Sequence, residues 1–218
     1  MIRLIKENRI FYLLCLLWFI IAGIYLVMYS KGAFSLALNK LHNPTADLFF
    51  RYATWLGDGI IISSVCLLLI FVKFRYAILT ILISFVSAWL VSLIKKFYDE
   101  PRPSVYFKDD MLNYVDGIEL YQRLSFPSGH TAAAFTLFCL FTFFAKNKNY
   151  GYLFFTLALI VAISRVYLLQ HFLVDVYFGS FFGIFFATIF YYLLMRSPLF
   201  GNKKWHERGL LVKYKERG

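Results

Sequence analysis

A chain of 218 residues that is 61% hydrophobic and 21% aromatic but only 16% charged carries more apolar surface than a soluble domain of that size can bury, which excludes an ordinary soluble protein and predicts a multi-pass membrane protein. A net charge of +11 would suggest nucleic acid in a soluble chain, but the basic residues fall mostly in short connections and the C-terminal stretch, where membrane topology and anionic lipid account for them, so no nucleic-acid partner is expected. Cys15, Cys66 and Cys139 lie far apart inside apolar runs and read as small core side chains, with no metal-ligand spacing and no disulfide framework.

In chain order, Arg3, Lys6 and Arg9 precede an apolar run from Ile10 to about Tyr29. That run is longer than a signal-peptide core and lacks an A-x-A cleavage site, so it is expected to be a first membrane span. Residues 30–55 are mixed, broken at Asn43-Pro44 and rich in aromatics from Leu48 to Tyr52, which predicts an interfacial helix lying along the membrane. Further apolar runs cover about 56–72, 76–94, 131–145, 150–169 and 172–195. The polar, proline-containing stretch from Lys95 to His130 is too polar to span and is expected to form a loop or cap. The predicted fold is therefore all-α: a six-helix transmembrane bundle with an interfacial helix between spans 1 and 2 and an outer loop between spans 3 and 4. Residues 1–200 form the expected domain, and 201–218 a basic tail in which Trp205, Leu210, Leu211 and Tyr214 suit an inner membrane surface.

Six spans put both termini on one side. That side, with the turns at Lys73-Arg75 and Lys146-Lys148, holds 14 of the 23 Lys and Arg residues, so the termini are expected to be cytoplasmic and the polar loop to face outward. This topology gathers three polar clusters at the outer end of the bundle.

The first cluster is Lys95 with Arg102-Pro103, a point charge and a planar fork of donors that together suit a phosphate; alone, such residues also suit simple snorkelling to the interface, as expected for Lys96. The second is Pro127-Ser128-Gly129-His130, where Ser128 can cap the following helix, Gly129 lets an anion approach its free N–H groups, and His130 can donate a proton to a leaving oxygen. The third runs from Ser164 to Asp175. Arg165 can bind phosphate through two donors, and His171 and Asp175 share a face if the segment from His171 onward is helical, close enough for a carboxylate–imidazole hydrogen bond. Ionisable groups in so apolar a region are costly and point to function. An ordinary helix cap at Ser128, or a histidine and an aspartate that merely satisfy each other, would explain each cluster singly but not their coincidence at one membrane face.

Lys95 to Pro103 fits K-x6-R-P, Pro127 to His130 is P-S-G-H, and Ser164 to Asp175 fits S-R-x5-H-x3-D. This three-part pattern resembles the signature of the type 2 phosphatidic acid phosphatase (PAP2) superfamily, which also includes vanadium haloperoxidases, and the helix layout extends the resemblance over nearly the whole chain. The resemblance implies that Lys95, Arg102, Ser128, Gly129 and Arg165 hold the phosphoryl oxygens. It further implies that His171 attacks phosphorus to give a phosphohistidine, that Asp175 orients it, and that His130 protonates the leaving group and then activates water. No metal or other cofactor is implied, and Asp109-Asp110, with no histidine near, read as solvated loop residues.

A site at the outer interface is most easily reached by a phosphate on a lipid tail, so the expected partners are a phosphorylated lipid substrate and the surrounding membrane lipids. Undecaprenyl diphosphate suits the compact chain and short loop; phosphatidylglycerol phosphate, phosphatidate and lipid A are the alternatives, and Tyr106, Lys108 and Arg123 are candidates for a second phosphate or a sugar. A haloperoxidase is disfavoured by the apolar spans, and a scaffold or transporter with a decayed site by the intact signature. Phosphotransfer to an acceptor lipid stays open. The expected location is a bacterial cytoplasmic membrane, with the site on its outer face.

Overall fold

The computed structural model describes residues 1–107, 112–198, 200 and 207–211. Lys108, Asp109, Asp110, Trp205 and Tyr214 lie outside the described residues. In chain order the helices are α1 (Ile2–Glu7), α2 (Arg9–Met28), α3 (Ala33–Asn39), α4 (Pro44–Ala53), α5 (Gly59–Val72), α6 (Phe74–Tyr98), α7 (Pro103–Tyr106), α8 (Gly129–Phe144), α9 (Tyr150–Tyr167) and α10 (Leu173–Arg196), with a 3-10 turn at Thr54–Gly57. Each of the predicted apolar runs is thus a helix. The described part of the outer loop is largely irregular apart from α7.

Local signals fix the boundaries. Asn43 caps α4 by accepting from the Ala46 N–H at 3.0 Å, with Pro44 at the first helical position. Asp58 caps α5 through the Ile60 N–H at 2.8 Å, and the left-handed Asp99 ends α6. Between α9 and α10 the chain turns through Leu168–Phe172, with Leu169 at φ 53°.

Among the described residues four segments are long and apolar enough to cross a membrane: α2, α6 continued to Tyr106, α9 and α10; the α4–α5 pair, bent by 54°, would make a fifth. The 16 residues of α8 reach about 24 Å at 1.5 Å per residue, less than a hydrocarbon core of about 30 Å. The reason for its composition is visible in the packing. It is the central helix, against α6, α9 and α10, and is buried nearly all round, from Thr131 to Phe143. On α2, by contrast, Leu13, Leu17, Ile20, Ile24 and Val27 are exposed, as a lipid-facing helix requires.

Close approach of α10 to α8 depends on Gly179 and Gly183. A Cβ on Gly183 would stand 2.5 Å from the Ala132 carbonyl oxygen, and one on Gly179 2.7 Å from that of Ser128. With the fully buried Ala187 these residues form a stripe of small side chains at four-residue spacing. Hydrogen bonds between helices add specificity, from Trp18 Nε1 to Ser180 Oγ at 3.0 Å and between Ser87 and Thr136 at 3.1 Å. At the opposite end the described part of the tail lies along the α5–α6 turn, where Glu207 pairs with Lys73 at 2.6 Å and Arg75 at 2.7 Å.

Candidate active site

All eight residues expected to form the site converge at one end of the bundle, carried by α6, the loop after it, the start of α8 and the α9–α10 turn. Lys95, in the last turn of α6, donates to the Leu124 carbonyl at 2.6 Å, and its Cε lies 3.5 Å from where a Cβ on Gly129 would stand. Arg102 donates from Nε to the Arg123 carbonyl at 3.0 Å and from Nη1 to Gln170 Oε1 at 3.0 Å. Lys96 is exposed, as expected of a snorkelling lysine.

Ser128 is fully buried and caps α8; its Oγ accepts from the Thr131 hydroxyl at 2.9 Å and, more loosely, from the Thr131 N–H at 3.4 Å. The first turn of α8, with its free N–H groups, lies beside the Lys95 side chain. Arg165 is buried at 6% exposure, with Nη1 donating to Thr54 Oγ1 at 2.9 Å. Its Nε is a buried donor without a hydrogen-bond partner among the described residues.

The His171–Asp175 pair differs from the sequence expectation in how it is made. His171 is not helical: α10 starts at Leu173, and Phe172 is its cap residue. Asp175 Oδ2 accepts the Phe172 N–H at 2.9 Å and the Ser125 hydroxyl at 2.5 Å, while His171 Nδ1 stands 3.4 Å from the same oxygen without forming a hydrogen bond. The carboxylate is thus hydrogen-bonded to the helix cap and to Ser125, and the imidazole stands beside it at longer range. His171 is 1% exposed; burial first, and then the cations Lys95, Arg165 and Arg102, hold its pKa well below the usual histidine value, so it is a neutral imidazole. Nδ1 faces Asp175, which leaves Nε2 as the free ring nitrogen.

Several neighbours were not foreseen. Gln170 joins Arg102 to Arg165, which donates to the same Oε1 at 3.5 Å, and it anchors itself by donating to the Glu119 carbonyl at 3.0 Å. Ser125, Thr54 and Asp58 complete the set, the last standing 3.6 Å from His130 Nε2. Gln170 lies beside His171 in the sequence, and a polar residue in so apolar a stretch was a usable signal; nothing local marks Thr54 or Ser125. Of the residues suggested for a second ligand contact, Arg123 is paired with Asp99 at 2.6 Å, and Tyr106 rests edge-on against Phe172.

Two apolar cavities adjoin the site. One of about 600 Å³ lies between α2, α6 and α10 and reaches Asp175, with Lys31 and Glu100, paired at 3.0 Å, on its wall. The other, about 470 Å³, runs between α5 and α6 from Gly59 past Phe85 and Ala133.

The PAP2 superfamily model matches residues 73–198, more than half of the chain, and the match contains all eight residues expected to form the site. The chain belongs to the PAP2 superfamily. Among its relatives, the lipid A 4'-phosphatase of Porphyromonas gingivalis is 26% identical over 81% of this chain and 78% of its own length. The PAP2 fold is shared with two solved structures. LpxE of Aquifex aeolicus superposes with a TM-score of 0.68 at 26% identity, covering 76% of this chain and 97% of that one. A transmembrane PAP2-type phosphatidylglycerolphosphate phosphatase from Bacillus subtilis gives 0.64 at 22% identity, covering 84% and 96%. With these relatives and its lipid-length apolar helices, the chain is an integral membrane protein.

Proposed function

We propose that this PAP2 protein hydrolyses a lipid phosphomonoester or diphosphate, without a metal, through a phosphohistidine on His171. The observation that supports it best is the convergence of Lys95, Arg102 and Arg165 on a buried neutral His171, beside a helix N-terminus and an apolar cavity that reaches Asp175. Three cations and the first N–H groups of α8 suit the equatorial oxygens of a phosphoryl group, and donors of this kind contribute most as charge develops in the transition state. Nε2 of His171 attacks phosphorus; the bond to the lipid oxygen breaks, and His130 gives that oxygen a proton. A water that passes its proton to His130 then cleaves the phosphorus–nitrogen bond, releasing phosphate and restoring both histidines.

In this reading the six apolar helices form the transmembrane bundle, with the short α8 enclosed by its neighbours, residues 1–200 form the catalytic domain, and the 201–218 tail and both termini are cytoplasmic. The site then faces outward from a bacterial cytoplasmic membrane. Likeness to a lipid A 4'-phosphatase favours a phosphate on lipid A; undecaprenyl diphosphate is a second reading, favoured by the short chain and outer loop.

The test is phosphate release by the detergent-solubilised protein with EDTA present, from lipid A, undecaprenyl diphosphate, phosphatidylglycerol phosphate and phosphatidate, beside His171→Ala. Release from one lipid well above the others, lost in the variant, supports the reading and names the lipid. Release that survives His171→Ala contradicts it.

A further inference from the structure

We propose that Asp58 is a positioning residue for His130, holding it as the proton donor to the departing lipid oxygen; this rests on the phosphatase reading above. Asp58 lies outside the segment matched by the PAP2 model and outside the three-part signature. Its Oδ1 caps α5 through the Ile60 N–H at 2.8 Å, which fixes the side chain, and its Oδ2 stands 3.6 Å from His130 Nε2.

The approach of the two residues is enforced by the backbone. Gly57 lies so close to α8 that a Cβ there would be 2.5 Å from the His130 carbonyl oxygen and 2.7 Å from Val161 Cγ1. Asp58, the next residue, is thereby locked beside the first turn of α8.

The electrostatic need is specific to His130. The other charged groups acting on it are Arg165, Lys95 and Arg102, all cations, and the remaining titratable neighbour is His171, itself neutral. Asp58 supplies the single negative charge among these neighbours. An imidazolium carries a proton on each ring nitrogen, so one N–H can face Asp58 while the other faces the leaving oxygen. Without the carboxylate, burial and then three cations disfavour that form until phosphate binds.

The surroundings fit a departing lipid on this side. In-line attack by His171 expels the leaving group on the opposite face of the phosphorus, where a proton donor is needed. The cavity between α5 and α6 begins at Gly59, next to Asp58, and passes Ala133, one helical turn below His130. The larger cavity reaches Asp175, behind the nucleophile. The tail of the departing alcohol therefore lies along α5 and α6.

The experiment compares Asp58→Asn with the unaltered full chain in detergent on two substrates with the same tail, an alkyl phosphate and a nitrophenyl phosphate. Asparagine keeps the α5 cap, so folding is preserved. A nitrophenolate leaves without a proton and an alkoxide does not. Asp58→Asn is expected to lower kcat at least about tenfold more for the alkyl than for the nitrophenyl ester, and to move the alkaline limb of the alkyl profile to lower pH. Equal losses on both esters, or no loss on either, would overturn the assignment. His171→Ala is run in parallel: hydrolysis of both esters that survives it would overturn the phosphohistidine reading instead, so the two failures are distinguishable.

Discussion

Gln170 Oε1 accepts a hydrogen bond from Arg102 Nη1 at 3.0 Å, and because Arg165 Nη2 donates to the same oxygen at 3.5 Å, one neutral amide sets the spacing of two mutually repelling guanidinium groups. The amide is 1% exposed and held by the Glu119 carbonyl, so it cannot drift. Gln170→Leu is expected to keep the fold and weaken phosphate capture. Hydrogen bonds to charged groups contribute about 1.5–3 kcal/mol, so kcat/KM should fall about ten- to a hundredfold. Steady-state kinetics on the preferred lipid check this, and an unchanged kcat/KM would show that the arginines hold their places without the amide.

Ser125 donates to the same Asp175 oxygen that stands 3.4 Å from His171 Nδ1. Removing it in Ser125→Ala leaves that carboxylate short of a donor in a nearly solvent-free place, and the cheapest remedy is protonation or rotation away from His171. A loss of about tenfold or more in kcat, with little change in KM, is expected. Equal changes in both would mean that Ser125 supports substrate binding rather than the nucleophile.

The buried, neutral His171 gives a pH dependence of definite sign. In the unfolded chain its imidazole takes up a proton near pH 6.5, but in the folded chain burial and three cations keep it neutral to well below that value. Its contribution to stability is therefore complete above about pH 6.5 and is lost progressively as the pH falls below it. Thermal unfolding measured from pH 8 to pH 5 should show a decline that is smaller in His171→Gln; an identical decline in both would contradict the neutral assignment.

The close crossing of α8 and α10 ties stability to the site, since the Ser128 N–H donates to the Asp175 carbonyl at 2.9 Å across it. Gly183→Ala inserts a methyl group 2.5 Å from a backbone oxygen that has no freedom to yield. A cost of about 1–3 kcal/mol is expected, seen as a lower unfolding temperature together with reduced activity. Loss of neither would show that α10 can slide without disturbing Asp175.

Much of this was legible before any coordinates. The apolar runs located the long helices because a helix that meets lipid must be apolar along its length, and the three polar clusters stood out against them. The buried partners were harder to see. Thr54 ends a mixed stretch and Asp58 opens the next apolar run, both more than a hundred residues before Arg165, and only tertiary packing makes them neighbours. The His171–Asp175 geometry was anticipated on the wrong backbone, because spacing alone cannot tell a continuous helix from a turn followed by a cap. The packing role of Gly179 and Gly183 was written in their four-residue spacing, but a small residue announces a crossing only once the partner helix is known.

The central claim is that His171 carries the phosphoryl group, and one measurement addresses it directly. The protein is mixed with a lipid substrate labelled with radioactive phosphorus, turnover is stopped rapidly in alkali, and the label is located on the chain. A phosphoramidate stable to alkali and labile to acid, on the peptide that contains His171 and absent from His171→Ala, is the predicted result. Lipid turnover with no label on the chain at any time, or a label that persists in His171→Ala, would contradict the account.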